Sequence, residues 1–126
     1  MADGKLILVV DDEDDVISYL TSLLKDNGFE TLSAKNGSDG FKLAKEKIPA
    51  LITLDITMPE ESGVRMFRNL QETKETSKIP VIIVTGVSIE FKQFIESRRQ
   101  IHPPEAYFEK PIDKDDFINK VKELLS

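Results

Sequence analysis

The chain is 126 residues long, with 17 Lys and Arg against 23 Asp and Glu and a net charge of −6 with its single histidine neutral. That length suits one domain with its own core, and the lack of cysteine excludes a thiolate nucleophile, a Cys-based zinc site and an iron–sulfur cluster. At 40% hydrophobic and 32% charged the composition is globular, no apolar run is long enough to span a membrane, and the acidic start is not a secretion segment, so a cytoplasmic location is expected.

In chain order, Leu6-Ile7-Leu8-Val9-Val10 is a continuous apolar run that predicts a buried first strand. It leads directly into Asp11-Asp12-Glu13-Asp14-Asp15, so nearly all of the net charge sits in one place and the rest of the chain is close to neutral. Such a run is ordinarily a solvated face or a tail. Attached to an apolar strand, it is expected where that strand emerges and a helix begins. Val16, Ile17, Leu20, Leu23 and Leu24 recur at helical spacing, and Gly28 supplies the stop. A short second strand follows around residues 30–34. Phe41, Ala44 and Ile48 mark one face of a second helix, closed by Pro49. Leu51-Ile52-Thr53-Leu54 is the third strand, ending at Asp55. Val64, Phe67 and Leu70 outline a third helix, and Thr73 to Lys78 is polar and loop-like. Pro80 precedes the strand Val81-Ile82-Ile83-Val84, which ends at Thr85-Gly86. Ser88 is a candidate cap for a fourth helix through Ile89, Phe91, Phe94 and Ile95, ended by Pro103-Pro104. Ala106-Tyr107-Phe108 is a short fifth strand. Asp113 is a good N-cap for a last helix with Phe117, Ile118, Val121, Leu124 and Leu125 on one face.

Five strand–helix pairs without an internal repeat predict a single unit over residues 1–126. Its fold class is α/β, a doubly wound parallel five-stranded sheet with helices on both faces. Ligands of open parallel sheets bind beyond the carboxyl ends of the strands. There the sequence puts Asp11, Asp12 and Glu13 after the first strand, Asp55 after the third, Thr85 at the fourth and Lys110-Pro111 after the fifth. Carboxylates gathered in one place raise one another's pKa unless a cation joins them, and oxygen ligands suit Mg²⁺. A metal, a lysine and a hydroxyl around a carboxylate are the equipment for binding a phosphoryl group. The carboxylate the metal does not need can act as a nucleophile toward phosphorus and form an acyl phosphate.

The segments Val9-Val10-Asp11-Asp12-Glu13, Leu54-Asp55-Ile56-Thr57-Met58-Pro59, Val84-Thr85-Gly86 and Tyr107-Phe108-Glu109-Lys110-Pro111 together resemble the signature of bacterial response-regulator receiver domains. The likeness runs from Lys5 to Leu125. It implies a flavodoxin-like (βα)5 fold with strand order 2-1-3-4-5. It also implies a two-component switch in which a histidine kinase or phosphotransfer protein donates a phosphoryl group from phosphohistidine to Asp55. By the same resemblance, Asp12, Asp55 and the Thr57 carbonyl ligate Mg²⁺, and Asp11 holds it through water. Lys110 pairs with phosphoryl oxygens, Thr85 turns its hydroxyl to the new phosphate and Tyr107 follows by changing rotamer. The Lys110–Pro111 peptide is expected to be cis. Phosphorylation then shifts a surface equilibrium read by an output protein or effector domain.

Glu13 stands between a water-mediated metal ligand and a first-turn acid, Asp14 and Asp15 read as acids favoured by a helix N-terminus, and His102 as a loop residue. Two positions depart from common members of the family. Two residues after Asp55 stands Thr57, and two after Thr85 stands Val87, neither suited to orienting an attacking water. Slow acyl-phosphate hydrolysis is therefore expected. The stretch from Ile95 to Glu105, with Arg98 and Arg99, reads as a helix end whose arginines complement the dipole; a partner surface is the alternative. Among other functions, an aspartate-nucleophile phosphatase needs an acid where Thr57 stands. The six glycines form no nucleotide-binding loop, and a phosphate-independent scaffold would not need this set of residues. Neither nucleic-acid binding nor membrane insertion is expected of this unit.

Overall fold

Apolar runs with no alternation form strands only where both sheet faces are covered, and the computed structural model, which describes residues 5–58, 62–86 and 104–126, has that arrangement. Its elements are β1 (Leu6–Val10), α1 (Asp14–Asp26), β2 (Glu30–Ala34), α2 (Gly37–Lys47), β3 (Leu51–Leu54), α3 (Ser62–Glu72), β4 (Val81–Thr85), β5 (Ala106–Glu109) and α4 (Lys114–Leu125). The five strands are parallel in the order β2-β1-β3-β4-β5. The expected helix beginning at Ser88, with Val87, Arg98, Arg99 and His102, lies outside the described residues.

The period of two along β1 divides its side chains between two cores. Leu8 and Val10 join Ile52, Leu54, Ile83, Ala44, Met66, Phe67 and Leu70 beneath α2 and α3. Ile7 and Val9 join Leu51, Ile82, Val84, Leu20, Leu24, Phe117 and Val121 beneath α1 and α4. Phe108 meets Phe117 edge to face, with centroids 5.6 Å apart, which seats α4 against the edge strand β5. Asp113 caps α4 as expected, accepting from the backbone N–H of Asp115 and of Asp116 at 3.0 Å each. Asn36 does the same for α2, accepting from Asp39 N at 2.8 Å.

The end of α2 differs from the expectation. Ile48 does not extend the apolar face but lies beyond the helix with φ 44°, and it is 48% exposed. Pro49 disfavours a helical backbone at the residue before it, so the chain leaves the helix through the left-handed region at Ile48. A β-branched residue is strained there. Ile48→Gly is therefore expected to stabilise the protein by about 1 kcal/mol. The measurement is the urea midpoint at unchanged slope, and an unchanged or lower midpoint would contradict the strain.

Candidate functional site

Two backbone hydrogen bonds carry the strand ladders one residue past the strands and so place two acids. Asp11 N donates to Ala34 O at 3.1 Å, and Asp55 N donates to Val10 O at 3.0 Å. Both residues are thereby held inside the carboxyl edge of the sheet, where they are 1% and 2% exposed. Asp12 points outward at the same edge. Carboxylate oxygens from Asp11, Asp12 and Asp55 lie within 4.8 Å of one another.

Lys110 follows β5 and precedes a cis peptide bond to Pro111, as expected. Its Nζ reaches back across the sheet edge to Asp11 Oδ2 at 3.0 Å, Glu13 Oε2 at 3.2 Å and Asp55 Oδ2 at 3.3 Å. The contact with Asp11 is an ion pair by distance, off the hydrogen-bond direction. Among the described residues, no donor is aimed at that buried oxygen. A buried carboxylate oxygen with charge beside it but no donor on it, next to two further carboxylates, fits a hard divalent cation.

The remaining oxygens of Asp11 and Asp55 have donors. Asp11 Oδ1 accepts from Glu13 N at 2.9 Å. Asp55 Oδ1 accepts from Thr57 N at 2.8 Å and also from the Thr57 hydroxyl. Asp55 is thus the head of an Asx turn that presents Oδ2 to Lys110.

Burial, reinforced by the nearby Asp55 charge, raises the Asp11 pKa; the Glu13 N–H and Lys110 oppose it without cancelling it. Burial by itself would lower the Lys110 pKa, but contact with Asp11, the charges of Asp55 and Asp11 and the hydrogen bond to Glu13 outweigh it and raise it instead. The two partners respond differently because the lysine faces three carboxylates, whereas Asp11 faces one lysine and a second acid. A folded-state pKa above the unfolded one means that the charged Asp11 opposes folding once pH rises through that folded value. Asp11→Asn is therefore expected to raise the melting temperature of the metal-free protein at pH 7. The gain should shrink below the unfolded carboxyl pKa, near pH 4. Melting curves with EDTA across that range check this, and a lowered melting temperature at neutral pH would refute it.

Of the residues anticipated from sequence, the structure brings Asp11, Asp12, Asp55, Thr57 and Lys110 together. Thr85 ends β4 beside Glu109 of β5, and the direction of its side chain lies outside the described residues. Tyr107 is half-buried on β5, opposite Ile83 and against the core under α3. Asp14 and Asp15 are exposed in the first turn of α1, and Asp14 pairs with Lys35 at 2.6 Å. Glu13, left open between two roles, pairs with Lys110 and is not one of the three clustered acids. From the sequence, the Thr57 side chain counts only as a poor group for orienting water, and the donation of its hydroxyl to Asp55 is not anticipated, although an aspartate at a strand end is itself an Asx-turn signal.

A model of the response regulator receiver domain matches residues 7–122. The chain is 35% identical over 120 residues to protein PilH of Pseudomonas aeruginosa, covering 95% of this chain and 97% of that protein. It is 34% identical over 121 residues to the polar-differentiation response regulator DivK of Brucella anthropi, covering 96% of each. Among solved structures, the receiver domain of a Pseudomonas aeruginosa sensor histidine kinase, described with a magnesium ion coordinated in its active-site cleft, superposes with a TM-score of 0.85. The identity there is 18%, and 97% of this chain and 98% of that one are covered. With four signature segments at the strand ends and the 2-1-3-4-5 sheet behind them, the chain belongs to the response-regulator receiver family, the aspartate-phosphorylated signalling switches of two-component systems.

Proposed function

We propose that Asp55 is the phosphoryl acceptor of this receiver and that Asp11, Asp12, Asp55 and the Thr57 carbonyl hold Mg²⁺ beside it. The observation that carries this reading is the buried Asp55 carboxylate with Lys110 Nζ 3.3 Å from Oδ2 and two more carboxylates alongside. Bound Mg²⁺ supplies positive charge to the phosphoryl oxygens and to the acids around it. The chain's own residues do the rest. Thr57 engages Oδ1 with two donors and leaves Oδ2 as the attacking oxygen. Oδ2 bonds to phosphorus as the bond from phosphorus to the donor histidine nitrogen breaks, and that nitrogen departs with the electron pair. Lys110 exchanges a carboxylate partner for a phosphoryl oxygen. Hydrolysis later returns Asp55 and inorganic phosphate, so the only reactions catalysed are the protein's own phosphorylation and dephosphorylation.

Receiver domains exchange phosphoryl groups with histidine kinases or phosphotransfer proteins and act on downstream effectors. In this reading Thr85 donates its hydroxyl to the phosphate and Tyr107 relays the change to the surface around β5. No described helix is long and apolar enough to cross a membrane; the proposed site of action is the cytoplasm, as one receiver unit over residues 1–126. The test is intact mass after incubation with Mg²⁺ and acetyl phosphate. Wild type should gain one phosphoryl group and lose the gain in EDTA, and Asp55→Asn should gain none. A wild type that gains nothing under any condition supports a phosphate-independent scaffold instead.

A further inference from the structure

We propose that Gly37 and Gly63, neither of which bears a reacting group, are positioning residues for Asp55. The inference rests on the reading of Asp55 as acceptor. Gly63, in the first turn of α3, lies directly on the backbone that follows the acceptor. A Cβ there would stand 2.2 Å from Asp55 O and 2.7 Å from Ile56 Cα. Gly37, at the start of α2, lies in the same way on Ser62. A Cβ there would stand 2.1 Å from Ser62 O and 2.7 Å from its carbonyl carbon, and Gly37 N donates to Ser62 Oγ at 3.3 Å. The first turn of α3 therefore meets α2 at Ser62 and the Asp55–Ile56 peptide at Gly63, with backbone against backbone at both contacts.

Backbone cannot move aside by changing rotamer. A methyl group at Gly63 has to displace either α3 or the Asp55 peptide. Asp55 is anchored on its amino side by its bond to Val10 O, so the displacement falls on its carbonyl side and turns the carboxylate. A methyl at Gly37 has to displace the same α3 turn at Ser62, the residue before Gly63. Gly40 provides the contrast within the same helix pair. A Cβ there meets side-chain atoms, Met66 Sδ at 2.8 Å and Val10 Cγ2 at 2.9 Å. None of the nearest atoms at Gly40 belongs to the Asp55–Ile56 backbone, and the flexible Met66 side chain can repack at a cost in stability.

The experiment compares Gly63→Ala, Gly37→Ala and Gly40→Ala with wild type, each below its own melting transition. Mg²⁺ affinity is read by calorimetric titration without a phosphodonor, and the phosphorylation rate constant by intact mass with acetyl phosphate at saturating Mg²⁺. Gly63→Ala is expected to weaken Mg²⁺ binding and slow phosphorylation by about tenfold each, and Gly37→Ala by about threefold, because sub-ångström misplacement of a reacting group costs rate on this scale. Gly40→Ala should lower the melting temperature and keep both values within about twofold of wild type. Should one of the two positioning variants fail to fold, the other decides. The inference is overturned if the folded variants keep wild-type affinity and rate, if Gly40→Ala falls as far as they do, or if neither positioning variant folds. A wild type that neither binds Mg²⁺ nor gains phosphate sinks the acceptor reading and this inference with it. A fully active wild type with unchanged variants sinks the inference alone.

Discussion

Lys110→Ala is expected to cost about 3 kcal/mol of metal-free stability and to slow phosphorylation by about 100-fold, because it leaves buried charge unpaired and removes a cation from the developing phosphoryl charge. The stability loss arises from Asp11 and Asp55, which lie 3.0 and 3.3 Å from the ammonium and stay buried without it. Glu13 contributes little, since its side chain is 60% exposed and water can replace the lysine there. Saturating Mg²⁺ should restore most of the stability, because the metal and the lysine answer the same cluster of negative charge. It should not restore the rate, which needs both cations. Urea denaturation in EDTA and in Mg²⁺, with intact-mass kinetics alongside, measures each arm. A variant as stable as wild type in EDTA would mean that the three ion pairs contribute nothing to folding.

The wild-type acyl phosphate is expected to last minutes or longer in Mg²⁺ buffer, and Thr57→Asp to shorten that lifetime by about tenfold by supplying a group that can orient and deprotonate water. The structure strengthens the expectation at Thr57 and leaves Val87 outside the described residues. The Thr57 hydroxyl directs its proton to Asp55 Oδ1, so that proton is committed to the acceptor carboxylate and not to a water molecule. After the donor is removed by gel filtration, the loss of phosphorylated mass gives the lifetime directly. A wild-type half-life of seconds, or a Thr57→Asp variant that decays no faster, would remove Thr57 from the account of slow reset.

Much of the fold was legible because a parallel sheet covered on both faces leaves a local mark. Leu6 to Val10, Leu51 to Leu54 and Val81 to Val84 read as strands for the reason that they are buried on both sides. The acids that end two of those strands followed from the strand boundaries. Ile48 reads as part of the α2 face but lies beyond it, because Pro49 signals that a helix stops and not which residue takes up the turn. Glu13 was undecided because its partner lies 97 positions away. The bond from the Thr57 hydroxyl to Asp55 is not legible in the sequence, because it depends on the rotamer that the Asx turn gives the aspartate.

The amino-acid order by itself determined which residues become strands and helices and which chemical groups stand at the strand ends, since periodicity, capping and strand termination are properties of neighbours along the chain. Tertiary structure alone decided that Asp11 and Asp55 are buried while Asp12 is exposed, that one lysine faces three carboxylates, and that Gly37 brings α2 against Ser62 of α3 while Gly63 brings α3 against the acceptor's backbone. Those are distances between residues remote in sequence. They are set by the order and register of the strands and by how closely the helices approach, and no local pattern encodes them.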